Sequence, residues 1–273
     1  MTDAAPTPAD DPTAAAAKAA AELAELTGAP THDIALVLGS GWLPAVDLLG
    51  ETVAEFASTA LHGFAPPAVA GHAGKIRSIT TSSGSRALVF LGRTHLYEGR
   101  GVDAVVHGVR TASAAGCRTI VLTNGCGGLD PQWTPGTPVL ISDQINMTGM
   151  SPLHGATFID LTDLYSPRLR ALCREIDPTL AEGVYLQFRG PQYETPAEVR
   201  MAGTLGADLV GMSTTLEAIA AREAGMEILG LSLVTNLAAG MTGEALNHEE
   251  VLEAGKLAAE RMGGLLATVV GRL

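Results

Sequence analysis

Positive charge, cysteine and aromatic residues are all scarce in this chain. Lys and Arg number 17 against 29 Asp and Glu in 273 residues, a formal net charge of −12. Such a balance repels polyanions unless the cations gather in one place. The densest basic stretch, Arg93 to Arg110, holds only Arg93, Arg100 and Arg110, with Glu98 and Asp103 between them. Nucleic acids and anionic membrane surfaces are therefore poor partners. The 3 cysteines, Cys117, Cys126 and Cys173, are odd in number and widely spaced, and no CxxC occurs. A disulfide framework and a zinc site are both disfavoured, and a reducing cytoplasm fits better. The N-terminus has no basic start followed by an apolar core, so no secretory signal is expected. The most apolar stretch, Ile228 to Gly240, is short and carries Ser232, Thr235 and Asn236, too little to span a bilayer. With no secretory route expected, Asn146-Met147-Thr148 is an idle glycosylation match. The chain also lacks a GxSxG, an HExxH and a P-loop, and His248-Glu249-Glu250 is not a zinc helix.

What is abundant is apolar residues, at 47%, and glycine, at 32 residues. That apolar share fills a sizeable core in one domain. Residues 1–13 mix Ala, Pro, Asp and Thr without periodicity and read as a disordered tail, leaving 14–273 as the folded unit. Ala14–Leu26 reads as a helix stopped by Gly28 and Pro30. Beyond it, apolar runs alternate with helical patterns. Strands are predicted at Ile34–Leu38, Lys75–Thr81, Arg86–Leu91, Thr119–Thr123, Val139–Ser142, Gly183–Phe188, Asp208–Gly211 and Ile228–Val234. Helices are predicted near Val102–Ala115, Pro196–Leu205 and Leu216–Gly225, with a last one from about His248. Runs apolar on both faces suit strands covered on each side by helices. The expected architecture is α/β, a single-domain three-layer sandwich with a mostly parallel or mixed central sheet.

The polar and glycine-rich clusters follow directly on those apolar runs, where α/β sheets bind ligands. Gly39-Ser40-Gly41 offers a tight turn with backbone N–H groups and a hydroxyl. It is not a dinucleotide fingerprint, because Pro44 stands where a third small residue belongs. In Gly92-Arg93-Thr94-His95-Leu96-Tyr97-Glu98-Gly99, a continuing strand would place Arg93, His95 and Tyr97 on one face. A guanidinium and an imidazole there suit an oxyanion such as phosphate; the plainer reading pairs Arg93 with Glu98. Asn124 to Gly128 reads as a loop after a strand whose N–H groups form an anion-binding nest. Cys126 has no adjacent histidine and reads as packing rather than a nucleophile. Glu194, before the predicted Pro196 helix, is either a helix-start acid or an acceptor for a heterocycle N–H beside Tyr193. Asn236 closes a buried apolar run, so its amide needs a partner, either a loop or a ligand.

In order along the chain, GSG at 39–41, AGHAG at 70–74, GRTHLYEG at 92–99, TNGCGGL at 123–129, GPQYETPAEVR at 190–200, GADLVGMST at 206–214, SLVTNLAAG at 232–240 and NHEEVLEAGK at 247–256 resemble the trimeric purine nucleoside phosphorylases, in particular their actinobacterial members. The resemblance covers about residues 30 to 260. It implies a phosphorylase/hydrolase-like fold and reversible phosphorolysis of 6-oxopurine nucleosides, with inorganic phosphate as co-substrate and no metal or organic cofactor. It also implies a homotrimer with active sites near subunit interfaces.

By the same resemblance, phosphate would lie among Ser40, His72, Arg93, His95, the backbone around Asn124 and Gly125, and Ser213. Tyr97 and Met212 would lie against the ribose, with His248 at its 5′-hydroxyl. Tyr193 would stack on the base, Glu194 would accept its N1–H, and Asn236 would bind O6 and N7 as the base leaves. Asn236, Glu194 and His95 are the expected catalytic set. Phe158, in a loosely aligned loop, is the candidate aromatic for covering a neighbour's ribose. Trp42, Gly125-Cys126 and Tyr193 depart from the vertebrate pattern without removing a side chain assigned to chemistry. Competing readings are a methylthioadenosine-type phosphorylase, which generally carries aspartate at the Asn236 position; a hydrolytic nucleosidase, which would need no anion site; and a purine nucleoside-binding protein without turnover.

Overall fold

A computed structural model of the chain describes residues 11–66, 73–242 and 248–273, the last segment without the side chains of 248–252. Helix α1 (Pro12–Thr27) starts two residues earlier than expected. Asp11 accepts from the Thr13 N–H at 2.9 Å and Pro12 occupies the first turn, a strong start that overrides the mixed composition before it. Residues 12 and 13 thus belong to the helix rather than to a tail, and residues 1–10 of the expected tail lie outside the described residues. Gly28, at φ +65°, ends the helix where the sequence predicts.

Among the described residues nine strands follow: β1 (Ile34–Leu38), β2 (Glu51–Ala57), β3 (Lys75–Thr80), β4 (Arg86–Leu91), β5 (Thr119–Gly128), β6 (Pro138–Asn146), β7 (Ala181–Gln187), β8 (Leu209–Gly211) and β9 (Glu227–Leu237). The helices are α2 (Val102–Ala114), α3 (Pro167–Ile176), α4 (Pro196–Thr204), α5 (Thr215–Glu223) and α6 (His248–Val270). The strands form one mixed sheet in the order β2-β3-β4-β1-β5-β8-β7-β6-β9, and β5 also pairs with β9. β1 lies parallel between β4 and β5, with Leu36 opposite Val89 and Val121.

Alternation along β1 shows the layering. Ala35 and Val37 join a core with Ala19 and Leu23 of α1, Val106 of α2 and Leu216 of α5. Ile34, Leu36 and Leu38 join the opposite core with Leu169 of α3 and Met262 and Leu266 of α6. Each such aliphatic side chain, once fully buried, contributes roughly 1.5–3 kcal/mol. The three-layer α/β sandwich is as expected, with one addition. Because β5 pairs with both β8 and β9, the strands β5, β8, β7, β6 and β9 close on themselves at one end of the sheet. A register shift against β9 at Cys126/Gly127 lies where β5, still paired with β9, takes up β8 as well, and bulges and small residues permit that bend.

Candidate active site

A cavity of about 250 Å³ opens at the carboxyl ends of the central strands, the usual ligand position in such sheets. Ser40, Arg93, His95, Asn124, Gly125 and Ser213 line it together with Tyr97, Tyr193, Glu194, Met212 and Asn236, and Arg93, Asn124 and Ser213 are drawn together through Glu217 and Thr214. The fold therefore gathers residues from six segments of the sequence. His72 lies outside the described residues, as does the side chain of His248, whose backbone opens α6. Phe158 is 93% exposed and does not reach this cavity in its own chain.

Two local expectations are corrected. β4 ends at Leu91 and a helical turn occupies Leu96–Glu98, so Arg93, His95 and Tyr97 do not alternate along a strand. The turn instead stacks the His95 and Tyr97 rings, with centroids 4.7 Å apart and planes 12° apart. Nor is Asn124–Gly128 a loop. It continues β5 against β9, from Asn124 opposite Ser232 to Gly128 opposite Leu237. Pairing with β1 stops at Leu122 and pairing with β8 starts at Gly127, so one edge of β5 in between borders the cavity.

The first glycine turn is held from both sides. The Gly39 N–H donates to Thr123 Oγ1 at 3.0 Å, and the fully buried Trp42 donates from its indole N–H to the Asn124 carbonyl at 2.8 Å. A Cβ at Gly39 would fall 2.6 Å from the Thr123 carbonyl oxygen and closer still to Arg93 Nη1, so only glycine admits the guanidinium here. Arg93 does not pair with Glu98. It donates from Nε to both oxygens of Glu217, at 3.0 and 3.2 Å, and from Nη1 to the Thr123 carbonyl. Glu98 Oε1 instead accepts the His95 backbone N–H at 2.7 Å and sits 3.5 Å from His95 Nδ1. Burial pushes the Glu98 carboxyl up, but hydrogen bonds from His95 outweigh it and hold the group below its usual range.

Behind two of the lining side chains, Gly190 has φ +70°, and a Cβ there would lie 2.5 Å from Met212 Sδ and 3.0 Å from Tyr97 Cδ1. This glycine lets the two side chains converge. Burial, together with Glu98 and Tyr193, pushes the Tyr97 phenol up to about 12, so it stays neutral. Burial also raises the Glu194 carboxyl, with Glu198 adding to the effect. Glu194 stands just outside α4, whose cap is Thr195 with Glu198 reaching back, so Glu194 is not the helix-start acid. Asn236 Nδ2 donates to the Leu237 carbonyl at 2.9 Å, and Thr235 Oγ1 donates to Asn236 Oδ1 at 2.8 Å. These contacts fix which way the amide points, and each amide atom keeps capacity for one more partner. Burial pushes the Cys126 thiol up to about 12, which fits packing rather than nucleophilic chemistry.

Glu217 has no counterpart among the residues the sequence singles out, and Thr214 and Thr235 stand out there only as members of polar clusters following strands, without a role. Thr214-x-x-Glu217 has the form of a capping box and could have been read as a helix start. Glu217's partner Arg93 lies 124 residues away in the chain, which no local pattern conveys. Among the described residues no group of three or more His, Cys, Asp or Glu is placed to hold a metal ion, and no helix is long and apolar enough to cross a membrane.

Fold and site together define a phosphorylase: the Phosphorylase superfamily model matches residues 33–271. A purine nucleoside phosphorylase from Cellulomonas sp is 62% identical over 269 residues, covering 97% of this chain and 95% of the relative. One from Mycobacterium tuberculosis is 58% identical, covering 97% of this chain and 98% of the relative. Among solved structures, purine nucleoside phosphorylase from Schistosoma mansoni in complex with inosine superposes with TM-score 0.85 at 30% identity, over 95% of this chain and 96% of that one. Isoform 2 from the same organism, in complex with cytosine and ribose-1-phosphate, gives TM-score 0.87 at 29% identity, over 95% and 96%. The chain belongs to the purine nucleoside phosphorylase family within that superfamily.

Proposed function

We propose that the chain catalyses reversible phosphorolysis of 6-oxopurine ribo- and deoxyribonucleosides such as inosine and guanosine. The observation that carries this reading is the lining of one cavity, where hydroxyls, a guanidinium and an imidazole suited to phosphate stand with a carboxylate and an amide suited to a purine. Phosphate held by the first set attacks C1′. A C1′–O bond forms as the C1′–N9 bond breaks, and its electron pair departs on the purine, which then takes a proton. The products are the free base and α-ribose 1-phosphate. No protein nucleophile, metal or organic cofactor is required by this chemistry; phosphate is a co-substrate. Catalysis then rests on positioning and on donors aimed where charge develops.

In this reading Ser40, His72, Arg93, His95, Ser213 and the β5 edge at Asn124 and Gly125 hold the phosphate. Tyr97 and Met212 line the ribose, His248 reads its 5′-hydroxyl, and Tyr193 stacks on the base. Glu194 accepts N1–H, and the Asn236 amide binds O6 and N7 as negative charge builds there. An ionised Glu194 facing adenine N1 sets acceptor against acceptor, which disfavours adenosine. Asparagine at 236 also argues against a methylthioadenosine-type enzyme. Phe158, exposed and away from its own cavity, is available to cover the ribose of an adjoining copy in a homotrimer. The three buried, unpaired cysteines suit a reducing cytoplasm.

A substrate panel tests the specificity. With phosphate present, inosine and guanosine are consumed rapidly and adenosine slowly. Equal turnover of adenosine would contradict the roles of Glu194 and Asn236.

A further inference from the structure

The Arg93, Asn124 and Ser213 part of the cavity is organised by a carboxylate that does not itself line it. Glu217 and Arg93 are buried together, their side chains 3% and 2% exposed, so water does not screen their attraction. The Arg93 Nε spans both Glu217 oxygens, and Glu217 Oε2 also accepts the Thr214 backbone N–H at 3.1 Å. Thr214 has φ +81°, the one non-glycine residue of positive φ among those described. A β-branched residue keeps that backbone only where its surroundings hold it there. The Thr214 hydroxyl in turn accepts from Asn124 Nδ2 at 3.0 Å and lies 3.2 Å from Ser213 Oγ. One carboxylate thus grips the guanidinium on one side and the Ser213-Thr214 turn on the other.

We propose that Glu217 is a positioning residue for the anion: it sets the Arg93 guanidinium and the Ser213-Thr214 turn in the arrangement that receives phosphate, and balances the arginine's charge. The proposal rests on phosphate occupying that part of the cavity. A capping role alone would need only an acceptor for the Thr214 N–H, which glutamine supplies as well as glutamate. Spanning Arg93 and neutralising its charge needs the carboxylate. Glu217→Gln therefore separates the two roles.

The test is steady-state kinetics with phosphate varied at saturating inosine and inosine varied at saturating phosphate, on wild type, Glu217→Gln, Arg93→Ala and the double variant. The expected result is a phosphate KM raised ~10-fold or more in Glu217→Gln, the scale of a misplaced binding group. The inosine KM stays within about twofold, and no further rise follows when Glu217→Gln is added to Arg93→Ala, since the two act as a unit. A phosphate KM near wild type in Glu217→Gln, beside a raised one in Arg93→Ala, would overturn the role of Glu217 alone. A normal phosphate KM in Arg93→Ala would overturn the phosphate placement as well. Equal losses on both substrates would mark Glu217 as merely structural. Should Glu217→Gln not fold, Thr214→Gly keeps the backbone N–H, relieves the positive φ and removes the hydroxyl bound to Asn124. A phosphate-selective rise in KM is expected there too, and none would overturn the link through the turn.

Discussion

Gly255 of α6 lies directly on the backbone of Gly41: a Cβ at residue 255 would fall 2.5 Å from the Gly41 Cα and nearer still to its carbonyl oxygen. The last helix therefore braces the turn that presents Ser40 to the cavity. Gly255→Ala forces α6 and that turn apart, and the turn has little room to adjust because Arg93 and Thr123 already crowd Gly39. Displacement of a binding group by about 1 Å commonly costs ~10²-fold in rate. The expected outcome is a fall of about 10- to 100-fold in kcat/KM for phosphate, with a smaller change in melting temperature. Initial rates against phosphate concentration check it.

The Asn236 amide is oriented by Thr235 and the Leu237 carbonyl, which leaves it ready to meet the leaving purine. Removing one preorganised donor of this type costs ~10²–10³ in kcat. Asn236→Ala is expected to lower kcat for inosine on that scale. A near-normal kcat would remove the leaving-group role.

In the proposed role, Glu194 discriminates between bases only while ionised. Its raised carboxyl means that kcat/KM for inosine falls on the acid side beginning above the usual carboxylate range, because protonation removes the acceptor for N1–H. Glu194→Gln can donate as well as accept, so the inosine to adenosine preference should narrow by roughly 10-fold, the scale of an unpaired buried group. Ratios of kcat/KM for the two nucleosides across pH check both statements, since phosphate ionisation cancels in the ratio.

Stability on the acid side is set in part by His32, which is 1% exposed and contacts Ser78 Oγ at 2.8 Å. Burial, aided by the charge of Arg86, lowers its pKa from 6.5 to about 4. The unfolded chain takes up this proton near 6.5, the folded chain only near 4, so protonation favours unfolding. The contribution is fully present above about pH 6.5 and is lost as pH falls toward 4, by roughly 3 kcal/mol. Urea midpoints between those two values should fall for wild type and flatten in His32→Asn.

Most of the sheet was legible because its strands are buried on both faces. Ile34–Leu38 and Arg86–Leu91 are apolar runs, and both are strands within a residue of expectation. β2 was not seen, because its largely exposed residues Glu51–Ala57 alternate weakly and earn their strand state only by pairing with β3. α3 was missed although Ser166 caps it and Leu169 and Cys173 form its buried face, since arginines interrupt its short apolar pattern. The side chains that line the cavity were legible as residue types following strands. What fixes them was not, because Glu217 meets Arg93, and Trp42 meets Asn124, across distances in sequence that only the folded sheet closes.

Direct attack by phosphate is tested most plainly by chromatography of inosine incubated with purified protein, with and without inorganic phosphate. Hypoxanthine and ribose 1-phosphate are expected in equal amounts when phosphate is present, with negligible base release without it. Release of hypoxanthine and free ribose at the same rate in phosphate-free buffer would contradict direct attack.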